Sequence, residues 1–213
     1  MTATASDVLD ILGVEGALGA SRLVPSQPGS AIVGTAVTVR KVPQRRAPAA
    51  GAGAGAGEAD MGEIEGANQA DPGDVLVIQG LAGVSAMGGL MSTMAKRQGA
   101  VGAVVDGGVR DLGRARSLGF PIWSSEVTPV TGKWRSEVIE VNGPVSIAGV
   151  TVRPGDLVVA DETGVAFVPA EIVFEVVERI EAIAGAEEGY VAALAGDLPL
   201  PELIKAHRGE NPE

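Results

Sequence analysis

Between residues 75 and 125 the chain repeats one pattern: a short apolar run, an amphipathic stretch, then another apolar run. DPGDVLVIQG (71–80) reads as a turn leading into a buried strand. Met87, Leu90, Met91 and Met94 recur at helical spacing, as a core-packing stripe, and Gly99 closes that helix. AVGAVVD (100–106) is the second buried strand. Leu112 to Leu118 forms a short helix ending near Gly119, and GFPIWS (119–124) starts a third strand. Apolar runs rich in Val and Ile and bounded by Gly and Pro are strand signals. Strands alternating with helices make an α/β fold with right-handed crossovers.

The flanks complete the layout. Ser6, followed by Asp7, Val8, Leu9, Ile11 and Leu12, predicts a capped amphipathic helix. AIVGTAVTV (31–39) predicts a strand. PQRRAPAAGAGAGAGEA (43–59) is a Gly/Ala-rich low-complexity stretch, expected to be flexible because it offers little side chain to bury. Met61, Ile64 and Ala67 suggest a short helix. Beyond residue 138 short apolar runs alternate with turns, and RPGDLVVADETGVAFVP (153–169) reads as two strands around a turn. Glu171 to Ala192 is helical and amphipathic. We expect one α/β domain over 1–196 and a polar tail at 197–213.

Composition removes several function classes. Cysteine is absent, so neither disulfide nor thiolate chemistry is available. The single histidine, His207, lies in the polar tail, which excludes a histidine triad or a multi-histidine metal site. Any metal must take oxygen ligands, which favours Mg²⁺ or Mn²⁺ over Zn²⁺. A formal net charge of −11 repels nucleic-acid phosphates, and three Phe, two Trp and one Tyr leave few stacking platforms. No nucleic-acid partner is expected. No apolar run reaches the roughly 18–20 residues of a membrane helix, and the N-terminus has no early positive charge. A cytoplasmic protein with no membrane partner is the expectation.

Two loops follow inferred strand ends, where ligands collect in α/β folds. AMGGLMS (86–92) places Gly88 and Gly89 at a helix N-terminus, whose exposed N–H groups favour a carboxylate or phosphate. VVDGGVRD (104–111) reads as a strand end that leaves the core through a sharp turn at Gly107–Gly108 and presents Arg110 beside Asp111. Arginine grips a carboxylate through paired hydrogen bonds, and aspartate holds a hard divalent cation. A small oxyacid chelated to a metal suits both loops.

GAVVDGGVRDLGRARSLGFPIW, followed by TP at 128–129 and PGDLVVADETGVAFVP, resembles the RraA-like family. That family includes regulators of ribonuclease E activity and class II 4-hydroxy-4-methyl-2-oxoglutarate aldolases. The resemblance covers roughly 70–190 and, more loosely, GTAVTV at 34–39. It implies a layered α/β sandwich like that of swivelling phosphohistidine domains, and a homotrimer or hexamer with the site near a subunit interface. It further implies Mg²⁺ or Mn²⁺ on Asp111 and substrate oxygens on Arg110. Pyruvate carboxylate would be held by backbone amides of Gly88, Gly89, Leu90 and Met91.

The sequence departs from the aldolase pattern of an acid, twenty residues, Arg-Asp, two residues and a second acid. The two acidic positions here are Gly89 and Arg114. Gly89 lacks the carboxylate expected to position metal-bound water, and Arg114 reverses a charge. Asp106 is nearby, but reads first as a strand-end turn cap. The expected function is a divalent-metal-dependent lyase, cleaving or decarboxylating a small α-keto acid through a pyruvate enolate. The alternative is a non-catalytic regulatory or binding protein of the same fold.

Overall fold

The structure, a computed structural model, describes residues 1–45, 62–194, 199 and 201–202. The Gly/Ala-rich stretch at 43–59 and the tail at 197–213 lie outside these residues, apart from 43–45, 199 and 201–202. The chain divides into two compact units, Met1–Val173 and Phe174–Glu213.

In chain order, α1 (Thr2–Ile11) is followed by β1 (Ala17–Gly19), β2 (Val24–Pro25) and the long β3 (Ile32–Pro43). Then come α2 (Glu63–Asn68), β4 (Val75–Gln79), β5 (Ser85–Met87), α3 (Gly89–Gln98) and β6 (Gly102–Val109). α4 (Leu112–Ser117) and β7 (Ile122–Val127) complete the repeating region. β8 (Ser136–Val141), β9 (Val145–Ile147), β10 (Val150–Val152), β11 (Leu157–Asp161) and β12 (Gly164–Val168) precede α5 (Val173–Leu194). The second unit carries most of α5, with an Arg179–Glu175 pair one turn apart on its surface.

The expected α/β class holds. β3, β4, β6 and β7 are mutually parallel, and ten strands join one sheet. β3 is shared. Its first residues pair antiparallel with β11, its middle pairs with β4, and its end pairs with β8 across a bulge at Arg40/Lys41.

Alternate side chains feed two cores. Leu76, Ile78, Ala103 and Val105 face the helical side with Met91, Ala95 and Phe120. Val75, Val77 and Val104 face the opposite side with Trp123, Ile147, Val152 and Phe167. Period-2 geometry produces this split, and burial on both faces explains the uninterrupted apolar runs. The β9–β10 hairpin covers the second face. Asp106 Oδ2 accepts the Ala148 N–H at 2.7 Å, and Gln79 Oε1 accepts the Ser146 N–H at 2.9 Å, which pin the hairpin to β6 and β4. Asp106 is thus committed to this anchor.

Three local expectations are corrected. α1 begins at Thr2, and Ser6 lies within it, because Thr2, Ala5, Val8 and Leu9 already form the buried stripe. Met87 belongs to β5 rather than to the helix carrying Met91 and Met94. Gly107 and Gly108 do not form the exit turn. They lie inside β6, at a register shift between Val105 and Gly108. A Cβ on Gly107, whose φ is 154°, would lie 2.9 Å from Leu81 N; one on Gly108 would lie 2.6 Å from Val84 O. The glycines let residues 80–85 pack directly on the β6 backbone.

Asp161 closes the β11–β12 turn and ties it to α1. Its carboxylate accepts N–H groups of Thr2 at 2.9 Å and Thr163 at 2.8 Å, and the Thr163 hydroxyl. Burial works to raise its pKa, but these hydrogen bonds outweigh burial and hold the carboxyl well below the usual carboxylate range. A depressed folded-state pKa contributes stability that is present above the unfolded value, near 3.8, and is lost as the pH falls below it. Asp161→Asn should therefore lower the melting temperature at pH 7 by about 2–6 °C. The gap to the wild type should narrow below about pH 4. Thermal melts from pH 7 to 3 check this; a constant gap refutes it.

Candidate active site

The chain turns out of β6 at Arg110–Asp111. Asp111 adopts a left-handed conformation (φ 56°, ψ 37°) as the residue capping α4, a geometry aspartate tolerates better than most residues. Meanwhile residues 80–84 cross the β6 glycines and β5 pairs parallel with the end of β6, Ser85 beside Gly108 and Met87 beside Val109. This pairing brings the start of α3 against the exit of β6. The Arg110 N–H donates to Met87 O at 3.0 Å, and the Gly89 N–H donates to Asp111 Oδ2 at 3.1 Å.

All six expected site residues, Gly88, Gly89, Leu90, Met91, Arg110 and Asp111, line one cleft. Gly88 is extended and Gly89 opens α3. First-turn amides of a helix have no carbonyl one turn back to bond, so those of Leu90 and Met91 are available to an anion. Leu90 is exposed and Met91 is buried. The Arg110 side chain is 36% exposed and the Asp111 side chain 55%, with Arg110 Nε 4.0 Å from Asp111 Oδ2. They form a loose pair that a ligand can separate. Serine and threonine hydroxyls brace the turn: Ser92 Oγ donates to Gly88 O and Thr93 Oγ1 to Gly89 O.

Arg114 lies beside the cleft mouth, where its Nε donates to Thr93 Oγ1 at 3.3 Å. A Cβ on Gly89 would sit 3.0 Å from Arg114 Cγ and 3.2 Å from Asp111 Cβ. The two departures from the aldolase pattern are thus spatial neighbours, with arginine occupying the space beside the missing acid. No group of three His, Asp or Glu side chains arranged to hold a metal occurs among the described residues. Asp111 Oδ1 takes no hydrogen bond from the described residues, so it is open to a ligand.

Among the cleft residues not singled out in the sequence are Glu63 at the start of α2, and Thr131 and Lys133 in the segment between β7 and β8. Thr131 is placed by an isolated bridge to Ser85. No local motif marks these positions.

A family model described as RraA-like, Aldolase/RraA, matches residues 2–167. The chain belongs to the RraA-like family. It is 30% identical to Protein DlpA of Legionella pneumophila over 213 residues, which is 99% of this chain and 33% of that protein. It is 32% identical to 4-hydroxy-4-methyl-2-oxoglutarate aldolase of Thermus thermophilus over 109 residues, 50% of this chain and 63% of that one. The chain spans a third to under two thirds of the length of these curated relatives. Among solved structures, Streptomyces coelicolor RraAS2 is described as an unusual member of the RNase ES inhibitor RraA protein family. It matches with a TM-score of 0.74 at 32% identity, over 90% of each chain. The mixed α/β fold is that of its RraA-like neighbours.

A Cβ on Gly88 would lie 3.1 Å from both Arg110 Cγ and Asp111 Oδ2. Gly88→Ala should therefore displace these two side chains while leaving the core intact. Any affinity of the cleft for pyruvate or oxalate should fall by calorimetry, with the melting temperature within about 2 °C of the wild type. Unchanged affinity would show that the cleft does not bind through Arg110 and Asp111.

Proposed function

We propose that this RraA-like protein is a divalent-metal-dependent lyase that cleaves or decarboxylates a small α-keto acid by way of a pyruvate enolate. The observation that carries this reading is the meeting of Arg110, Asp111 and the α3 N-terminus in one cleft. Each offers a complement to one part of pyruvate. The amides of Leu90 and Met91 suit its carboxylate, and the Arg110 guanidinium suits its oxygens.

The donor set fits a water-rich hard cation rather than a fully protein-bound one. Mg²⁺ is commonly bound by one or two carboxylates, with waters and substrate oxygens filling the rest. Asp111 is the residue to hold it, and Mg²⁺ or Mn²⁺ bound there would supply Lewis-acid stabilisation of negative charge on the keto oxygen. Arg110 and the helix amides add fixed positive potential toward the same oxygens.

A trimer or hexamer belongs to this reading. Leu90 and Val127 are exposed apolar residues, and Val127 pairs in register with Val109, immediately before Arg110. A second copy of the chain would cover such surface beside the cleft.

The absent carboxylates at Gly89 and Arg114 favour a second reading, a non-catalytic regulatory protein on the same fold. Pyruvate release from oxaloacetate, with and without Mn²⁺, separates the two. The lyase reading expects metal-stimulated release, reduced at least ~10²-fold by Asp111→Ala. Mn²⁺ should raise the melting temperature of the wild type and not of the variant. No release and no Mn²⁺ stabilisation in the wild type would favour the regulatory reading. Light scattering at micromolar concentration should give a trimer or hexamer; a monomer would refute assembly.

A further inference from the structure

We propose that Glu63 is the proton-transferring carboxylate of this cleft, oriented by Lys41, and that it replaces the acids absent at positions 89 and 114. The inference rests on the lyase reading above and goes beyond it in naming an acid–base residue outside the Arg-Asp motif.

Glu63 and Asp111 are the two carboxylates among the described residues lining the cleft. Asp111 already accepts the Gly89 N–H and is assigned to the cation. The remaining charged groups there, Arg110 and Lys133, are cations that offer hydrogen-bond donors. Glu63 is the carboxylate left to move a proton.

Its setting is built rather than incidental. Glu63 Oε2 accepts a hydrogen bond from Lys41 Nζ at 2.9 Å, with side-chain exposures of 14% and 3%. Lys41 sits just past the β3 bulge, whereas its neighbour Arg40 makes a partly exposed pair with Glu140. Lysine is rarely buried without a partner. A buried ion pair is a poor stabiliser compared with an apolar pair of equal volume. An orienting role for Lys41 accounts for a buried pair that ends at a cleft.

The chemistry balances for a 4-hydroxy-2-oxo acid whose pyruvate portion lies on Arg110 and the α3 amides. Glu63 takes the proton of the C4 hydroxyl. The hydroxyl oxygen becomes a carbonyl, the C3–C4 bond breaks, and its electron pair enters the pyruvate enolate. Glu63 then returns the proton to C3, giving pyruvate and a carbonyl product, with the carboxylate restored.

The test follows exchange of pyruvate methyl protons in D₂O by NMR, using the full chain with Mn²⁺, alongside pyruvate affinity by calorimetry. The variants are Glu63→Gln and the double Lys41→Met/Glu63→Gln, which removes both charges and so avoids an unpaired buried ammonium. Both should bind pyruvate much as the wild type does, while exchange falls about 10²–10⁴-fold. Lys41→Arg should retain exchange; Lys41→Met should lose most of it with pyruvate affinity unchanged. Wild-type exchange in the folded, pyruvate-binding double variant would overturn the role of Glu63 and leave the lyase reading standing. A wild type that binds pyruvate but neither exchanges its protons nor cleaves oxaloacetate would overturn both.

Discussion

Two backbones in direct contact determine the cleft. Residues 80–85 lie against Gly107 and Gly108 of β6, closer than a Cβ permits. That approach allows β5 to pair beside the end of β6, and β5 in turn delivers Gly88 and Gly89 to Asp111. The Arg-Asp pair and the α3 amides therefore face one another through main-chain geometry, with no long side chain needed to hold them there. A site built on strand ends is more rigid than one built on free loops.

The cleft is less acidic than the chain as a whole. The formal net charge is −11, which disfavours the approach of any small dianion from a distance. Arg110 and Lys133 line the cleft and Arg114 stands at its mouth. Glu63 and Asp111 line it too, so its fixed charges balance and act only at short range at physiological salt. Under the proposed reading, affinity for such a ligand depends on these few residues rather than on the molecule's overall field. The arginine at 114 adds one cation beside this balanced set, at a position where the aldolase pattern carries an acid.

Much of this was legible in sequence, and the exceptions have particular causes. The parallel strands at 75–79 and around 102–109 were marked by apolar runs, and the helix over 112–118 by its glycine boundary. Arg110 and Asp111 were readable because a strand end carries them in adjacent positions. Gly107–Gly108 was misread as a turn because glycine signals both a turn and a close backbone approach, and only the path of residues 80–85 distinguishes them. Asp106 reads as a turn cap, whereas the structure shows it anchoring a hairpin residue 42 positions away in sequence. Glu63 and Lys41 were invisible for a related reason. A buried ion pair between a strand and the next helix leaves no periodic trace, and its strand end lies just past a bulge that no local pattern announces.

The sharing of β3 bears on how the chain is made. Twelve residues long, it spans about 40 Å if fully extended. Its first four residues await β11, whose residues are synthesised some 120 positions later, while its middle finds β4 much sooner. On the ribosome, the parallel region and its cleft face could assemble while Ile32 to Thr35 still lacked their antiparallel partner. A nascent chain ending before Leu157 would display that apolar edge to chaperones or to other chains. The strand that joins the two halves of the sheet is thus also the interval of synthesis during which the protein is most open to mispairing.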